Sequence, residues 1–472
     1  MSVDEIAFLP ASRLLELYRA RELSPVEATE AALYQIDQHN PRVNAYCFVD
    51  AEGALSQAKE SEERYKRGEP RGRLEGVPTS VKDVFLTRGW PTLRGSRIVD
   101  PNQPWNEDAA VVARLREHGA VLLGKTTTPE LGWKAVTDSP LTGITVNPWD
   151  LARTAGGSSG GGAAAVVLGM GPLTIGTDGG GSIRIPATFC GLVGLKPTYG
   201  RVPLWPVSPF GTLSHAGPMS STVADAALML NVIAKPDPRD WSALPPEEVD
   251  YLNAVEGGLE GLRIAFSPDF GYVDVDPEVE ETVKRAAQAF EEMGARVEEV
   301  DPGFEDPIDI FEVHWFAAAA NALRPFDERL RELMDPGLVE IANEGSGYSA
   351  LEYLEADGRR SDLGIRMSAF HETYDLLLSP TVPIAAFEVG REVPEGWSHR
   401  RWPSWTPFTY PFNLTQQPAA SVPCGFTSSG LPIGLQIVGA RYGDALVLRA
   451  AHAYQTIHPL VDQRPSCARL EG

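Results

Sequence analysis

The sequence predicts an α/β protein. Apolar runs typical of strands alternate with helical patterns, as in residues 109–125 (AAVVARLREHGAVLLGK), which predict a helix, a turn at Gly119 and a strand. Such alternation is typical of helices layered on a sheet. The 472 residues, 43% of them hydrophobic, are enough for one large domain or two to three ordinary ones.

The amino-terminal segment predicts two helices that serve packing. Ser12 is a candidate N-cap for a helix through LLELYRA, and Ser24-Pro25 begins a second helix that Asn40-Pro41 ends. The charged residues 56–74 predict a further helix and a surface turn.

Val77–Val81 is a short β-type run that predicts a strand, and Lys82 follows directly. Ligands bind at the ends of strands in α/β sheets, so Lys82 is a candidate for chemistry.

A glycine-rich stretch from Gly156 to Pro197 contains two serine sites. Ser158-Ser159 lies in GGSSGGG, before a predicted helix, and Ser182 lies in TDGGGSIR, after a predicted buried strand. Consecutive glycines leave backbone N–H groups unshielded, as an oxyanion hole requires. No Gly-Lys-Ser/Thr follows the glycines, which argues against a phosphate loop. Asp178 and Arg184 flank the second site with opposite charges, and we expect a structural ion pair.

The remaining chain continues the α/β pattern. A helix is predicted over 221–234 and a linker or surface excursion rich in Pro, Gly and acidic residues over 235–261. The later elements are predicted in this order: a strand at 262–267, a helix through 289, a strand at 296–300, a helix at 311–326, a strand at 376–383, an irregular Pro- and Trp-rich segment at 388–408, two strands and a final helix.

Composition narrows the class of protein. A net charge of −23 argues against direct binding of nucleic acid. The four cysteines have neither CxxC spacing nor a histidine-rich partner, so no metal site is expected, and their scatter fits a reducing compartment. The sequence shows neither a signal peptide nor a membrane span, and we expect a cytoplasmic protein.

Several ordered blocks resemble the amidase signature family, serine hydrolases that cleave amide bonds. These blocks are GVPTSVKDVF, LLGKTTTPELG, the run from Gly156 to Pro197, AGPMSSTVADAALML and FNLTQQPAASVPCGFTSSGLPIGLQIVG. The resemblance implies a single large α/β/α domain over residues 1–472, with a mixed central β-sheet flanked by helices. Within it we expect a signature core at about 75–235, a variable substrate-covering region at about 236–374 and a carboxy-terminal core block at about 375–455.

The resemblance also implies a Ser–Ser–Lys triad. By motif, Ser182 is the nucleophile, Ser158 the bridging serine, preceded by a cis peptide bond, and Lys82 the base. The oxyanion-hole N–H groups are assigned to Gly179, Gly180, Gly181 and Ser182. Supporting roles are assigned to Ser159, Asp178 and Arg184.

The implied reaction needs neither histidine, metal nor other cofactor. Burial lowers the pKa of a lysine, so a neutral Lys82 can accept a proton through Ser158 as Ser182 attacks the carbonyl. Ser158 then returns a proton to the leaving nitrogen, and water hydrolyses the acyl-enzyme.

Some residues bear on the substrate. Gly132 and Trp133 fall where family members contact the acyl group, and Gln416-Gln417-Pro418 replaces a common Gly-Gln-Pro. Aromatic residues suggest a hydrophobic or aryl-accepting site: Phe210, Trp315, Phe316 and the Trp-rich segment 397–405. We expect a small-molecule amide substrate and a monomer or homodimer. Esters and carbamates pass through a similar oxyanion, so they remain candidate substrates.

Two alternatives stay open. The pattern Gly156-x-Ser158-x-Gly160 matches the nucleophile elbow of α/β-hydrolases, with His452 or His458 as partner, but NPWDLARTA before it does not favour a strand. The chain also resembles the amidase subunit of tRNA-dependent amidotransferases, although GTLSHAGP replaces the expected SSLDQ before the GP turn.

Overall fold

A mixed β-sheet of eleven strands forms the centre of the molecule. We describe a computed structural model that covers residues 1–461 and 463–468. The strands within these ranges are β1 (Tyr46–Val49), β2 (Pro78–Lys82), β3 (Val121–Thr126), β4 (Asp138–Ser139), β5 (Gly143–Ile144), β6 (Val146–Asn147), β7 (Asp150–Thr154), β8 (Leu173–Asp178), β9 (Val193–Lys196), β10 (His215–Ser220), β11 (Arg263–Phe266), β12 (Arg296–Glu299), β13 (Leu376–Pro380), β14 (Ala419–Phe426) and β15 (Pro432–Gly439).

Helices cover both faces of this sheet. They are α1 (Val3–Ala7), α2 (Ala11–Ala20), α3 (Pro25–Val43), α4 (Ala51–Arg67), α5 (Ala110–Glu117), α6 (Gly160–Val167), α7 (Arg184–Cys190), α8 (Val223–Ile233), α9 (Tyr251–Ala254), α10 (Pro277–Glu292), α11 (Ile308–Leu323), α12 (Glu328–Arg331), α13 (Pro336–Gly345), α14 (Ala350–Phe370), α15 (Pro411–Leu414) and α16 (Asp444–Ile457). No helix in the described ranges is long and apolar enough to cross a membrane.

The order of the strands places the glycine-rich region near the middle of the sheet. The order is β1-β3-β2-β8-β10-β9-β14-β15-β13-β11-β12. Strand β2 pairs in parallel with β3 and β8, whereas β10 pairs antiparallel with β8 and β9. The carboxyl ends of β2 and β8 therefore meet at one edge, at Lys82 and Asp178.

Burial on both faces explains why these strands are continuous apolar runs. In β3, Leu122 packs into the core on the side of α2, α5 and α8, whereas Val121 and Leu123 pack into the core on the side of α3 and α6. A third core lies beneath α11 and α13 and includes the aromatic residues of segment 402–412. The mixed sheet with flanking helices confirms the predicted fold class.

Three local expectations were wrong. Helix α2 begins after Pro10 rather than after Ser12, and α3 continues through Pro41 to Val43. Residues 150–154 do form a strand, in a small sheet with β6, so their composition was not a valid reason to reject a nucleophile elbow. Helix α3 does begin at Ser24, whose hydroxyl forms the predicted cap with the N–H of Glu27 at 3.1 Å.

Candidate active site

Lys82 lies fully buried at the end of β2 and contacts three hydroxyl groups. Its Nζ is 2.7 Å from Ser158 Oγ, 2.9 Å from Ser159 Oγ and 2.8 Å from Thr177 Oγ1. Ser159 donates its own proton to the carbonyl of Thr177 at 3.1 Å, so it accepts from Lys82. Burial lowers the pKa of Lys82 well below its usual value, and Asp178 offsets this only in part.

Ser158 lies between Lys82 and an open cavity. The Gly157–Ser158 peptide bond is cis, as the family motif implies. Gly132 has φ +75°, and a Cβ at this position would lie 3.3 Å from Ser158 Oγ. A glycine therefore lets the backbone at 132 approach the serine closely in a left-handed conformation.

Ser182 lines the same cavity as Ser158 and follows three glycines. The backbone N–H of Ser159 donates to the carbonyl of Ser182 at 3.2 Å, which links the two serine segments. Trp315 packs against Gly179 so closely that a Cβ there would lie 2.8 Å from its ring. Gly180 meets Trp402 and Phe311 in the same way. Aromatic packing thus leaves no space for side chains in this loop.

The loop supplies fewer free N–H groups than expected. The N–H of Gly181 donates to Asp178 Oδ1 at 2.8 Å, so its assignment to the oxyanion hole is corrected. No hydrogen bond within the described chain engages the N–H groups of Gly179, Gly180 and Ser182. These three N–H groups are therefore candidate donors for an oxyanion, and Gly179 and Ser182 line the cavity.

Asp178 and Arg184 form the buried ion pair that the sequence suggested. Arg184 Nε and Nη2 each lie 2.9 Å from a carboxylate oxygen of Asp178. Burial alone would raise the pKa of Asp178, but the guanidinium holds that pKa well below its usual range. Arg184 also donates to Thr409 O, Asn413 Oδ1 and Gln436 Oε1, so it joins the loop of residues 179–182 to segment 409–413 and to β15.

The cavity in front of the serines has a volume of about 830 Å³, including its open mouth. Its walls are mainly apolar and include Val84, Phe85, Leu131, Trp205, Phe210 and Trp315. The rings of Phe210 and Trp315 stack with centroids 3.8 Å apart. Gly132 lines the cavity, as expected.

Several aromatic residues assigned to the pocket lie elsewhere. Trp133 does not line the cavity: its indole packs against Gly337 in the core beneath α13, and Leu131 lies at the cavity wall instead. Phe316, Trp402 and Trp405 are buried in the same core. Within the Trp-rich segment, Trp402 packs against Gly180 and so supports the loop of residues 179–182.

Other candidates are also placed away from the serines. Gln416 has φ +63° and lies in a separate surface groove with Arg360. His452 is on α16 and His458 ends that helix, and neither lines the cavity. The hydroxyl of Ser158 contacts Lys82 rather than a histidine, which disfavours the nucleophile elbow.

Thr177 was missed by the sequence reasoning. It is the third hydroxyl around Lys82, and it also lines the cavity. The parallel register of β2 and β8, which pairs Val81 with Ile175, brings it beside Lys82. Its position immediately before Asp178 could have indicated that Thr177 lies near the site. The register of β2 and β8, which brings it to Lys82, is not visible in the sequence.

Comparisons with known proteins identify relatives in sequence and in structure. A model of the family "Amidase" matches residues 27–448. An acylamidase from Rhodococcus erythropolis is 39% identical over 99% of each chain. A glutamyl-tRNA(Gln) amidotransferase subunit from Chloroflexus aggregans is 36% identical over 99% of this chain and 100% of that relative. The crystal structure of a bacterial aryl acylamidase of the amidase signature family superposes with a TM-score of 0.89, at 31% identity over 96% of each chain.

Proposed function

This chain belongs to the amidase family and is an amidase that hydrolyses carbon–nitrogen bonds of non-peptide amides, and we propose that it does so through Lys82, Ser158 and Ser182. The observation that carries this assignment is the contact of 2.7 Å between a fully buried lysine amine and Ser158. Ser158 and Ser182 line the same cavity, which supports the proposal that both serines act on one bound carbonyl.

The first step transfers a proton to Lys82. Burial lowers the pKa of Lys82 and so favours the neutral amine, the form that can accept the Ser158 proton. Ser158 in turn takes the proton of Ser182 as its Oγ bonds to the carbonyl carbon. The N–H groups of Gly179, Gly180 and Ser182 stabilise the resulting oxyanion.

The second step expels the amine. An amide nitrogen leaves poorly as an anion, so Ser158 donates a proton to it while Lys82 returns one to Ser158. Water then attacks the acyl-enzyme through the same relay and regenerates Ser182. Asp178 and Arg184 hold the nucleophile loop, and Ser159 and Thr177 orient the amine of Lys82.

We infer that the substrates are small hydrophobic or aryl amides, with esters and carbamates as further substrates of the same site. The apolar cavity wall and the stacked rings of Phe210 and Trp315 support this inference. Similarity to an acylamidase and to an aryl acylamidase supports it as well. Region 236–374 contributes Trp315, which supports its role as a substrate-covering region.

We also infer a cytoplasmic monomer or homodimer that binds no nucleic acid. The net charge of −23 and the scattered cysteines, which are free, support this inference. The similarity to the amidotransferase relative keeps a role in a tRNA-dependent complex as the alternative. Hydrolysis of aryl amides by the isolated chain, without added subunits or tRNA, is the result that favours the amidase.

The nucleophile is identified by labelling with a fluorophosphonate probe and mapping the modified peptide. We expect the adduct on Ser182 and its loss in Ser182→Ala. Ser214→Ala removes another hydroxyl that lines the cavity and serves as the matched control, with labelling retained. An adduct on Ser158 would contradict the assignment.

A further inference from the structure

The wall of the substrate cavity carries one charged side chain besides the catalytic region, that of Arg94. The protein contains 64 acidic residues, yet none of them is among the residues that line this cavity. The wall near Arg94 is otherwise built from apolar residues such as Val84, Phe85 and Leu131. Arg94 is only partly exposed, and a cation beside an apolar wall is costly to the extent that it is removed from water.

Nothing within the described chain compensates for the guanidinium of Arg94 directly. It has neither a hydrogen bond, an ion pair within 4.0 Å nor a stacked ring among the described residues. Asp83 is the charged residue that interacts electrostatically with Arg94. Its carboxylate, however, lies 3.8 Å from the amine of Lys125 and accepts a hydrogen bond from the N–H of Leu93 at 3.3 Å. Burial lowers the pKa of Arg94, although a guanidinium stays charged in proteins.

The backbone gives no reason for an arginine here. Arg94 has φ +56°, the left-handed region in which glycine is favoured and other residues are strained. Arg97, in the same loop, is exposed and lies outside the cavity. The backbone conformation at position 94 favours glycine, so it does not explain why this residue is an arginine.

We propose that Arg94 binds a carboxylate of the substrate, so that the preferred substrates are amides with an apolar body and a carboxylate group. This proposal rests on the proposed amidase function. Arginine presents two parallel N–H donors that match a carboxylate, and an apolar surrounding strengthens such a pair. Lys82 contacts three hydroxyl groups and does not line the cavity, and Arg184 is paired with Asp178, so Arg94 is the charged residue of the described chain that faces a substrate in the cavity.

Three chromogenic amides test the proposal, with pentanoyl 4-nitroanilide as the neutral partner of two carboxylates. Glutaryl 4-nitroanilide and pentanoyl 4-nitroanilide differ by a carboxylate in place of a methyl group at the end of the acyl chain. Pentanoyl 3-carboxy-4-nitroanilide carries the carboxylate on the leaving group instead. We expect kcat/KM of the wild-type protein to be about tenfold to a hundredfold higher for one of the two carboxylate amides than for pentanoyl 4-nitroanilide. Which carboxylate amide is preferred shows whether Arg94 lies on the acyl side or on the leaving-group side of the scissile bond.

Arg94→Met removes the charge at similar length and should abolish that preference while leaving kcat/KM for the neutral amide within a few-fold. Arg94→Lys keeps the charge but not the fork and should retain part of the preference. Arg97→Met is the matched control, with the preference unchanged. Equal losses on charged and neutral amides in Arg94→Met, or a wild-type preference for the neutral amides, would overturn the proposal.

Binding measured without turnover separates this proposal from the proposed function. Calorimetry on Ser182→Ala and on Ser182→Ala with Arg94→Met gives affinities for the same amides. We expect the second substitution to weaken binding of the preferred carboxylate by about tenfold or more and binding of the neutral amide little. Absence of turnover of every probe by wild-type protein would contradict the proposed function, whereas equal affinities in the two variants would contradict the role of Arg94.

Discussion

Lys82 Nζ and Thr177 Oγ1 lie 2.8 Å apart, on the neighbouring parallel strands β2 and β8. The Thr177 hydroxyl is a hydrogen-bond acceptor for the ammonium form of Lys82 and so favours the charged state. The pKa of Lys82 therefore depends on burial, which lowers it, and on the charge of Asp178 and the three hydroxyl acceptors, which oppose that effect.

Replacing Thr177 with valine should lower the pKa of Lys82 further, because one acceptor of the charged form is removed while packing is kept. Activity requires neutral Lys82, so the acidic limb of the profile of kcat/KM against pH should move to lower pH. Thr174→Val is the matched control on the same strand, where the hydroxyl bonds to Ser80 at 2.7 Å instead. An unchanged or upward-shifted limb in Thr177→Val would contradict this account.

Replacing Lys82 with alanine should reduce amide hydrolysis more than ester hydrolysis. An amine leaving group needs the proton that Lys82 supplies through Ser158, whereas a phenolate leaves without one. We expect kcat/KM for a 4-nitroanilide to fall at least about 10²–10⁴-fold, and that for the 4-nitrophenyl ester of the same acid to fall less. Equal losses on the matched pair would exclude the proton-return role.

Replacing Gly132 with alanine should lower kcat/KM by more than its effect on the free energy of unfolding explains. The left-handed φ of +75° costs about 1–2 kcal/mol for a residue with a Cβ, and that Cβ would press on Ser158 Oγ. Gly89→Ala has a similar φ of +85° and nothing within 4 Å, so it isolates the backbone cost. We expect similar losses in the free energy of unfolding, measured in urea, but a fall in kcat/KM only in Gly132→Ala. Equal activity in the two variants would show that Ser158 tolerates the added methyl group.

Replacing Arg184 with methionine should lower the free energy of unfolding by about 3–5 kcal/mol, because the buried carboxylate of Asp178 loses its partner. Arg285→Met, which breaks an exposed pair with Glu281, is the control and should cost about 1 kcal/mol or less. Denaturant unfolding of both variants gives the comparison. A loss of less than about 1 kcal/mol in Arg184→Met would mean that the pair does not stabilise the loop.

The sequence predicted the elements better than their contacts. The β2 strand ending at Lys82, helix α6 after Ser159 and strand β8 ending at Asp178 all follow from local apolar patterns and glycines. These patterns are local properties of the chain, so they are visible without the fold.

Contacts between distant segments were not predictable in the same way. Thr177 reaches Lys82 because of strand register, and Trp133 turns into the core because Gly337, on α13, leaves a space for its ring. The N–H of Gly181 is engaged by Asp178 because the loop folds back on itself. Each of these three contacts depends on the tertiary structure, which residue type and spacing do not reveal. The position of Arg94 in the cavity wall depends on it as well.

The hydrogen bond between Arg184 and Gln436 spans 252 positions of the chain. A ribosome that adds about 5–20 residues per second takes tens of seconds to reach the second residue after the first. During synthesis Arg184 and its ion-pair partner Asp178 are thus present long before Thr409, Asn413 and Gln436, which accept its other hydrogen bonds. We therefore expect a nascent chain that stops before β14 and β15 to be inactive, because Arg184 would lack the contact with Gln436.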